Sequence, residues 1–291
     1  MWILLYNPTS GGGKGQKEAL HVTSFFKERG VDLLTVCGAS YEDATRVFQE
    51  SLKKVAGKIS GVVVVGGDGM MHMAIQELAK TTIPVALVPA GTGNDFARAL
   101  GLDLKNPTKH LPLLFTQSPE SVDLGLVNQR YFADILSTGF DSTVNEKANA
   151  LKFIKGRMKY NVAIALVLST FKPQEYRFSV DSVDFNSKAM LIAVSNGQSY
   201  GGGMKVTPHA KINDGLFDIM ILGPVSKIEF LKVFPRVFSG SHIDHPAVKI
   251  MRGKKVRIDA KAVAYADGER IGDLPIEASV VPQALLTWRV R

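Results

Sequence analysis

Gly61-Val62-Val63-Val64-Val65-Gly66-Gly67-Asp68-Gly69 is the stretch from which the fold can be read. Four consecutive β-branched residues with no polar alternation describe a strand buried on both faces, as central strands of parallel sheets are. The run stops abruptly in Gly-Gly-Asp-Gly, and a helical pattern follows from Met70 to about Lys80. Open α/β sheets bind ligands beyond the carboxyl ends of their strands, which is where this turn falls. Glycines let the backbone approach a phosphate closely with its N–H groups exposed. Asp68 would repel a phosphate held there unless a cation stood between them. Magnesium resolves the conflict, since it takes oxygen ligands from one or two carboxylates and from phosphates. The plainer reading is a Gly-rich turn with a solvated Asp.

Upstream, a strand over residues 3–6 runs into Asn7-Pro8-Thr9-Ser10-Gly11-Gly12-Gly13-Lys14-Gly15. A helix with Ala19, Val22, Phe25 and Phe26 on one face follows and stops at Gly30. A strand over residues 33–36 and a helix over about residues 42–55 come next, the helix started by Ser40 with Asp43 three positions on. Downstream of the central strand and its helix lies a strand over residues 85–88. That alternation implies a parallel, doubly wound sheet.

The first Gly-rich turn matches neither named phosphate motif. A Walker A loop would need Gly where Pro8 stands and Ser or Thr where Gly15 stands; in the dinucleotide pattern Gln16 falls at the last glycine. What remains is a flexible, hydroxyl-bearing, cationic turn suited to phosphate contact. The strand over residues 85–88 ends in Pro89-Ala90-Gly91-Thr92-Gly93-Asn94-Asp95-Phe96-Ala97-Arg98, with a helix to about Leu100. Three parallel strands thus end in Gly-rich polar turns on one edge of the sheet, which makes a phosphate site the default expectation.

Past Pro119 the texture becomes β-rich. Strands are predicted over residues 121–127, 131–136, 176–183, 188–195, 216–222, 254–259, 263–266, 278–281 and 285–290. Helices are predicted over about residues 141–171 and 226–238. Short strands at this spacing suggest an antiparallel sandwich. The expected organisation is an α/β nucleotide-binding domain over residues 1–120 and a β-sandwich domain over residues 121–291, the last strand being a candidate to return to the first domain.

Composition sets the class. A chain of 291 residues with 45% hydrophobic and 21% charged residues is an ordinary globular protein of about two domains. A single cysteine, Cys37, excludes a disulfide framework and a multi-cysteine metal site, and at a strand end it reads as a small buried hydrophobe. No signal sequence is recognisable before the first strand, and no apolar run reaches the roughly 18 residues of a membrane span. A cytoplasmic location is therefore expected. A formal charge of +8 favours anionic partners.

The chain resembles the soluble bacterial diacylglycerol-kinase-like lipid kinases, related to the catalytic domains of sphingosine and eukaryotic diacylglycerol kinases. The matching stretches are Asn7-Pro8-Thr9-Ser10-Gly11, Gly66-Gly67-Asp68-Gly69, Gly91-Thr92-Gly93-Asn94-Asp95-Phe96-Ala97, Val122-Asp123-Leu124-Gly125, Asp214-Gly215-Leu216-Phe217-Asp218 and Asp267-Gly268-Glu269. They run in the family's order over nearly the whole chain, and the ordered set is far more specific than any piece. The Gly-rich Tyr200-Gly201-Gly202-Gly203-Met204 segment also looks like the family's second domain.

The resemblance implies ATP and Mg²⁺ as cofactors and an active site in the cleft between the two domains. It implies nucleotide contacts from residues 7–11, from residues 66–69 and from Thr92. It places Asp68, Asp95 and Asp123 around the catalytic Mg²⁺, and Lys211, Asp214 and Leu216 at a separate structural Mg²⁺. By the same resemblance Asp267 and Glu269 occupy the catalytic-base motif, with Asp267 the first candidate and Glu269 the second. An alcohol acceptor needs such a carboxylate near its proton; read without the resemblance, Asp267-Gly268 is a hairpin turn. One departure stands out. Met70, His72 and Met73 occupy positions where the family usually has Thr, Asn and Glu.

These readings lead to an ATP- and Mg²⁺-dependent kinase acting on the hydroxyl of diacylglycerol or a similar lipid. The competing accounts are a catalytically silent nucleotide- or lipid-binding protein and a soluble kinase related to NAD kinase or phosphofructokinase. A bilayer substrate implies peripheral contact with the inner face of the cell membrane. Lys152, Lys155, Arg157 and Lys159, followed by the apolar residues 160–168, could supply it; a helix packed on the sandwich is the alternative. No nucleic-acid partner is expected, and β-edge pairing would allow a homodimer.

Overall fold

The computed structural model describes residues 1–151 and 157–290, and the chain divides into two units, Met1–Leu124 with Pro282–Arg291, and Gly125–Val281.

The first unit alternates strand and helix. Strand β1 (Trp2–Tyr6) leads to α1 (Ser10–Glu28), β2 (Leu33–Val36) to α2 (Tyr41–Lys54), and β3 (Gly61–Gly66) to α3 (Asp68–Leu78). Strand β4 (Val85–Pro89) leads to the short helices α4 (Asp95–Ala99) and α5 (Leu113–Thr116). The strands lie in the order β2-β1-β3-β4, all parallel. Ile3, Leu4, Leu5 and Val62 to Val65 are fully buried, so both faces of the sheet are covered. On one face Leu4, Val63 and Val65 meet Val22 and Phe26 of α1. Gln49 of α2 donates to Glu77 of α3 at 2.7 Å, tying those two helices together. Ser40 accepts the N–H of Asp43 at 3.2 Å, the cap its position predicts for α2. Cys37 is exposed, contrary to the buried role expected of it: it follows β2, the edge strand of the sheet.

The second unit is antiparallel. Strand β5 (Glu120–Val127) turns through Asn128 and Gln129, both at positive φ, into β6 (Arg130–Phe132) and then β7 (Ile135–Gly139). Helices α6 (Phe140–Ala150) and α7 (Arg157–Thr170) follow, then β8 (Gln174–Val180), β9 (Val183–Ala189), β10 (Leu191–Ser195) and β11 (Phe217–Leu222). Helix α8 (Lys227–Val233) runs into a 3-10 turn, Phe234–Phe238. The chain closes with β12 (Val248–Gly253), β13 (Lys255–Asp259), β14 (Val263–Ala266), β15 (Glu269–Asp273) and β16 (Ile276–Thr287). One layer has the order β12-β11-β10-β7-β14-β15. In the other, β9 pairs with β8, β8 with β13 and β13 with β16. Val194, Phe217 and Ile219 of the first layer meet Tyr176, Phe178, Val256 and Ile258 of the second in one core, with Phe132 stacked on Phe217 at 5.7 Å. The last strand continues into the first unit, where Thr287 pairs in parallel with Val85.

Several elements differ from expectation. The helix expected over residues 141–171 is two helices, α6 and α7. Lys152 and Lys155 lie outside the described residues, and of Arg157 and Lys159 only the backbone is described. The strands expected over residues 176–183 and 188–195 are three, because Asp181 and Ser182 form a two-residue hairpin turn at φ 47° and 71°. Asp-Ser lacks the glycine that usually marks such a turn. Strand β12 has no counterpart in the expectation: it is an edge strand of mixed cationic and apolar residues, with Ile250 exposed. The helix expected over residues 226–238 tightens to 3-10 geometry at Phe234, just before Pro235.

Candidate functional site

In the first unit three turns converge at the carboxyl ends of β1, β3 and β4. Asn7 opens the first: its side-chain oxygen accepts the N–H and hydroxyl of Thr9 at 3.0 and 2.9 Å, and the Pro8 carbonyl takes the Gln16 N–H. Gly11, Gly12 and Gly13 follow with φ of 57°, 72° and 100°, so regular helix begins only after them. A Cβ on Gly11 would stand 2.2 Å from the carbonyl oxygen of Ala90, and one on Gly66 would stand 3.8 Å from the Ser10 hydroxyl. The first turn therefore lies against both of the others. Gly67 and Gly91 touch backbone to backbone: a Cβ on Gly91 would stand 2.4 Å from the Gly67 Cα. Gly69 faces open space and Thr92 is exposed.

Asp68 stitches the second turn to the third. Its Oδ2 accepts the N–H of Asn94 at 2.7 Å and its Oδ1 the N–H of Asp95 at 2.8 Å, so it caps α4 from outside the helix. Asn94 adopts the left-handed conformation, which Asn tolerates, and exchanges two 2.9 Å hydrogen bonds with the Gly91 backbone. Arg98 donates to the Gly93 carbonyl and to Asp95 at 3.2 Å. Asn94 and Arg98 were not foreseen as site residues; an Asn in a Gly-rich turn and an Arg one helical turn after Asp95 were the available signals.

The carboxylates of Asp68 and Asp95 meet over Gly93. A Cβ there would stand 2.4 Å from the Asp68 Oδ2 and 3.4 Å from the Asp95 Oδ2. Two acidic groups this close to one point, where a methyl would overlap Asp68, are the oxygen ligands a small hard cation takes. Asp123, on β5, is buried and accepts the N–H of Gln283 at 2.8 Å. Among the described residues no three His, Cys, Asp or Glu side chains are gathered as a metal site. Met70, His72 and Met73 are all buried in α3, and the Met70 side chain lies 2.6 Å from where a Cβ on Gly66 would be. Met70 therefore packs against the strand end where the family pattern has a hydroxyl.

In the second unit Asp267 sits in the β14–β15 turn at φ 49°. Its Oδ2 accepts the N–H of Ala133 at 2.6 Å, and its Oδ1 accepts those of Asp134 and Ile135 at 3.0 and 3.2 Å. Glu269 is exposed at the start of β15.

At Lys211, Asp214 and Leu216, the residues expected at a structural cation, a guanidinium stands beside the carboxylate. Leu216 meets Asp214 through its N–H at 3.2 Å. The guanidinium of Arg252 pairs with Asp214 and lies 3.5 Å from Asp218, supplying the positive charge itself. Burial raises the Asp218 pKa, and Arg252 works against that rise. A further acid escaped the sequence reading: burial pushes Asp141, at the start of α6, up to about 6. The partly buried Tyr200 is raised well above an ordinary tyrosine, first by loss of solvent and then by Asp141. Gly139, before α6, opens an identifiable turn, but nothing local marks the acid as buried.

A groove of about 860 Å³ runs beside α6 and α7, lined by Leu166, Val167, Phe171 and Pro173 with Lys147 and Lys172. Among the described residues no helix is long and apolar enough to cross a membrane.

Gly-rich strand-end turns around paired carboxylates, on a doubly wound sheet, define a phosphate-handling α/β protein. Residues 1–127 match the diacylglycerol kinase catalytic domain, and residues 134–288 match the YegS C-terminal NAD kinase beta sandwich-like domain. A diacylglycerol kinase from Mycobacterium tuberculosis (strain ATCC 25618 / H37Rv) is 37% identical over 294 residues, 99% of this chain and 94% of the relative. One from Bacillus subtilis (strain 168) is 29% identical over 279 residues, 94% of this chain and 91% of the relative. A crystal structure of a diacylglycerol kinase from Bacillus anthracis str. Sterne superposes with a TM-score of 0.72 at 19% identity, covering 99% of this chain and 96% of that one, a likeness of fold. The chain belongs to the diacylglycerol kinase family, and it is a lipid kinase.

Proposed function

We propose that this lipid kinase transfers the γ-phosphoryl group of ATP to the hydroxyl of a diacylglycerol-type lipid. The observation that carries the proposal is the meeting of three Gly-rich turns with Asp68 and Asp95 over the space at Gly93. The turns at residues 7–15, 66–69 and 91–94 offer N–H groups and the Ser10 and Thr92 hydroxyls to the nucleotide phosphates. Asp68 and Asp95 would hold Mg²⁺, which when bound neutralises the charge of the transferring phosphoryl group. Asp123 belongs to the same proposal through the family resemblance.

On the acceptor side the lipid hydroxyl oxygen bonds to the γ-phosphorus as the bond to the ADP oxygen breaks, and the hydroxyl proton passes to Asp267. Three backbone donors, Ala133 to Oδ2 and Asp134 and Ile135 to Oδ1, fix the Asp267 carboxylate before substrate arrives, the kind of preorganisation catalysis depends on. The groove beside α7 supports a lipid acceptor, since its Leu166, Val167, Phe171 and Pro173 suit an acyl chain.

Transfer of labelled γ-phosphate from Mg-ATP to lipids in mixed micelles tests this. The panel holds diacylglycerol, monoacylglycerol, ceramide and sphingosine, with NAD as soluble control. Label is expected in diacylglycerol and is expected to vanish in Asp68→Asn. Label in NAD alone, or ATP binding with no label anywhere, would overturn the proposal.

A further inference from the structure

Helix α8 and the 3-10 turn after it carry apolar side chains on two faces. Phe230 and Val237 are buried, and Phe230 lies 4.8 Å from the Phe140 ring and 5.5 Å from that of Phe234. A surface helix with one face so anchored ordinarily turns polar groups outward. Here Ile228 is 69% exposed, Leu231 59% and Phe238 54%. Ile228 and Leu231, three residues apart on α8, share one helical face. Lys227, Lys232 and Arg236 are exposed among them. The acid of this stretch, Glu229, is turned to His245 at 3.1 Å. Lys227 donates to the Ser169 carbonyl at the end of α7, where Leu166 is 43% exposed.

We infer that this face seats the protein on an anionic bilayer. Ile228, Leu231 and Phe238 enter the interface, and Lys227, Lys232 and Arg236 meet lipid phosphates. Clustered apolar exposure marks a contact surface, and apolar area joined to cations is what binds to anionic lipid. Charge selects the bilayer over a second copy of the chain. A two-fold pairing through this face would bring the same three cations of each copy together, whereas a bilayer supplies the opposite charge. Leu166 and Ser169 also line the groove assigned to the acyl chain, so docking here would present that groove to its substrate. This last consequence rests on the proposed lipid-kinase chemistry; the docking itself does not.

The test uses the full chain with vesicles of phosphatidylcholine alone and of phosphatidylcholine with phosphatidylglycerol. Sedimentation should show binding to the anionic vesicles that falls with salt. Ile228→Asp with Leu231→Asp should weaken it at least about tenfold. Lys227→Gln with Lys232→Gln should remove most of the preference for anionic over neutral vesicles. Both pairs should phosphorylate a short-chain, molecularly dispersed diacylglycerol as the wild type does. Undiminished vesicle binding by the Asp pair would overturn the inference, as would a wild-type dimer in light scattering that this pair splits. If the wild type fails on the dispersed substrate, the kinase proposal falls while sedimentation still decides the docking face.

Discussion

Asp68 in the first unit and Asp267 in the second are held by the same device in different settings. Each spends both carboxylate oxygens on backbone N–H groups of a distant segment: Asp68 on Asn94 and Asp95, Asp267 on Ala133, Asp134 and Ile135. Around Asp68 a second acid, Asp95, shares the space over Gly93. In the second unit Asp214 and Asp218 are paired with Arg252, and burial raises the Asp141 pKa to about 6. The contrast shows that one hydrogen-bonding device can hold a carboxylate in quite different surroundings. Asp68 and Asp95 face one point, with Arg98 paired to Asp95, whereas Asp267 is held by backbone donors at both oxygens.

Separating binding from transfer would break that comparison most directly. Asp68→Asn and Asp267→Asn should each lower phosphoryl transfer by about a hundred- to ten-thousandfold. Calorimetry should find Mg-ATP binding weakened in Asp68→Asn and intact in Asp267→Asn. If both variants bind nucleotide normally, Asp68 has no place in the nucleotide site. Should Glu269→Gln instead lose transfer while Asp267→Asn keeps it, the proton acceptor is Glu269.

The next largest effect concerns the acid whose pKa burial raises. For Asp141 the folded pKa, about 6, lies above the ordinary value of 3.8. Its contribution is therefore fully present below about pH 4 and is lost as pH rises through about 6, because the unfolded chain ionises first. Up to roughly 3 kcal/mol of stability should disappear across that window. Denaturant titrations at several pH values should show the decline in the wild type and its removal in Asp141→Asn. An unchanged pH dependence in the variant would mean that Asp141 is charged in the fold.

The smallest effect tests the guanidinium that stands at the expected cation site. Arg252 is about half exposed, so Arg252→Ala should cost only about 1 kcal/mol. Added magnesium should then raise the melting temperature of the variant and not of the wild type. Equal response in both proteins would show that Asp214 binds the ion with Arg252 in place.

Much of this protein follows from its sequence because the signals are local. The run of residues 62–65 specifies a buried parallel strand, Gly-rich turns mark three strand ends, and Ser40 caps its helix through an N–H three residues away. The order of the motifs along the chain likewise identifies the family. The remaining features depend on partners far apart in sequence. The Asp181-Ser182 turn splits one expected strand into two without a glycine to announce it, and Cys37 is exposed because β2 lies at the sheet edge. Asp267 finds its donors more than 130 positions upstream, and Arg252 reaches Asp214 across 38 positions. Periodicity can establish that a residue faces a core or solvent. Which charge it meets there depends on how distant segments pack, and that packing places Asp68 beside Asp95, buries Asp141 and leaves Ile228 and Leu231 in water.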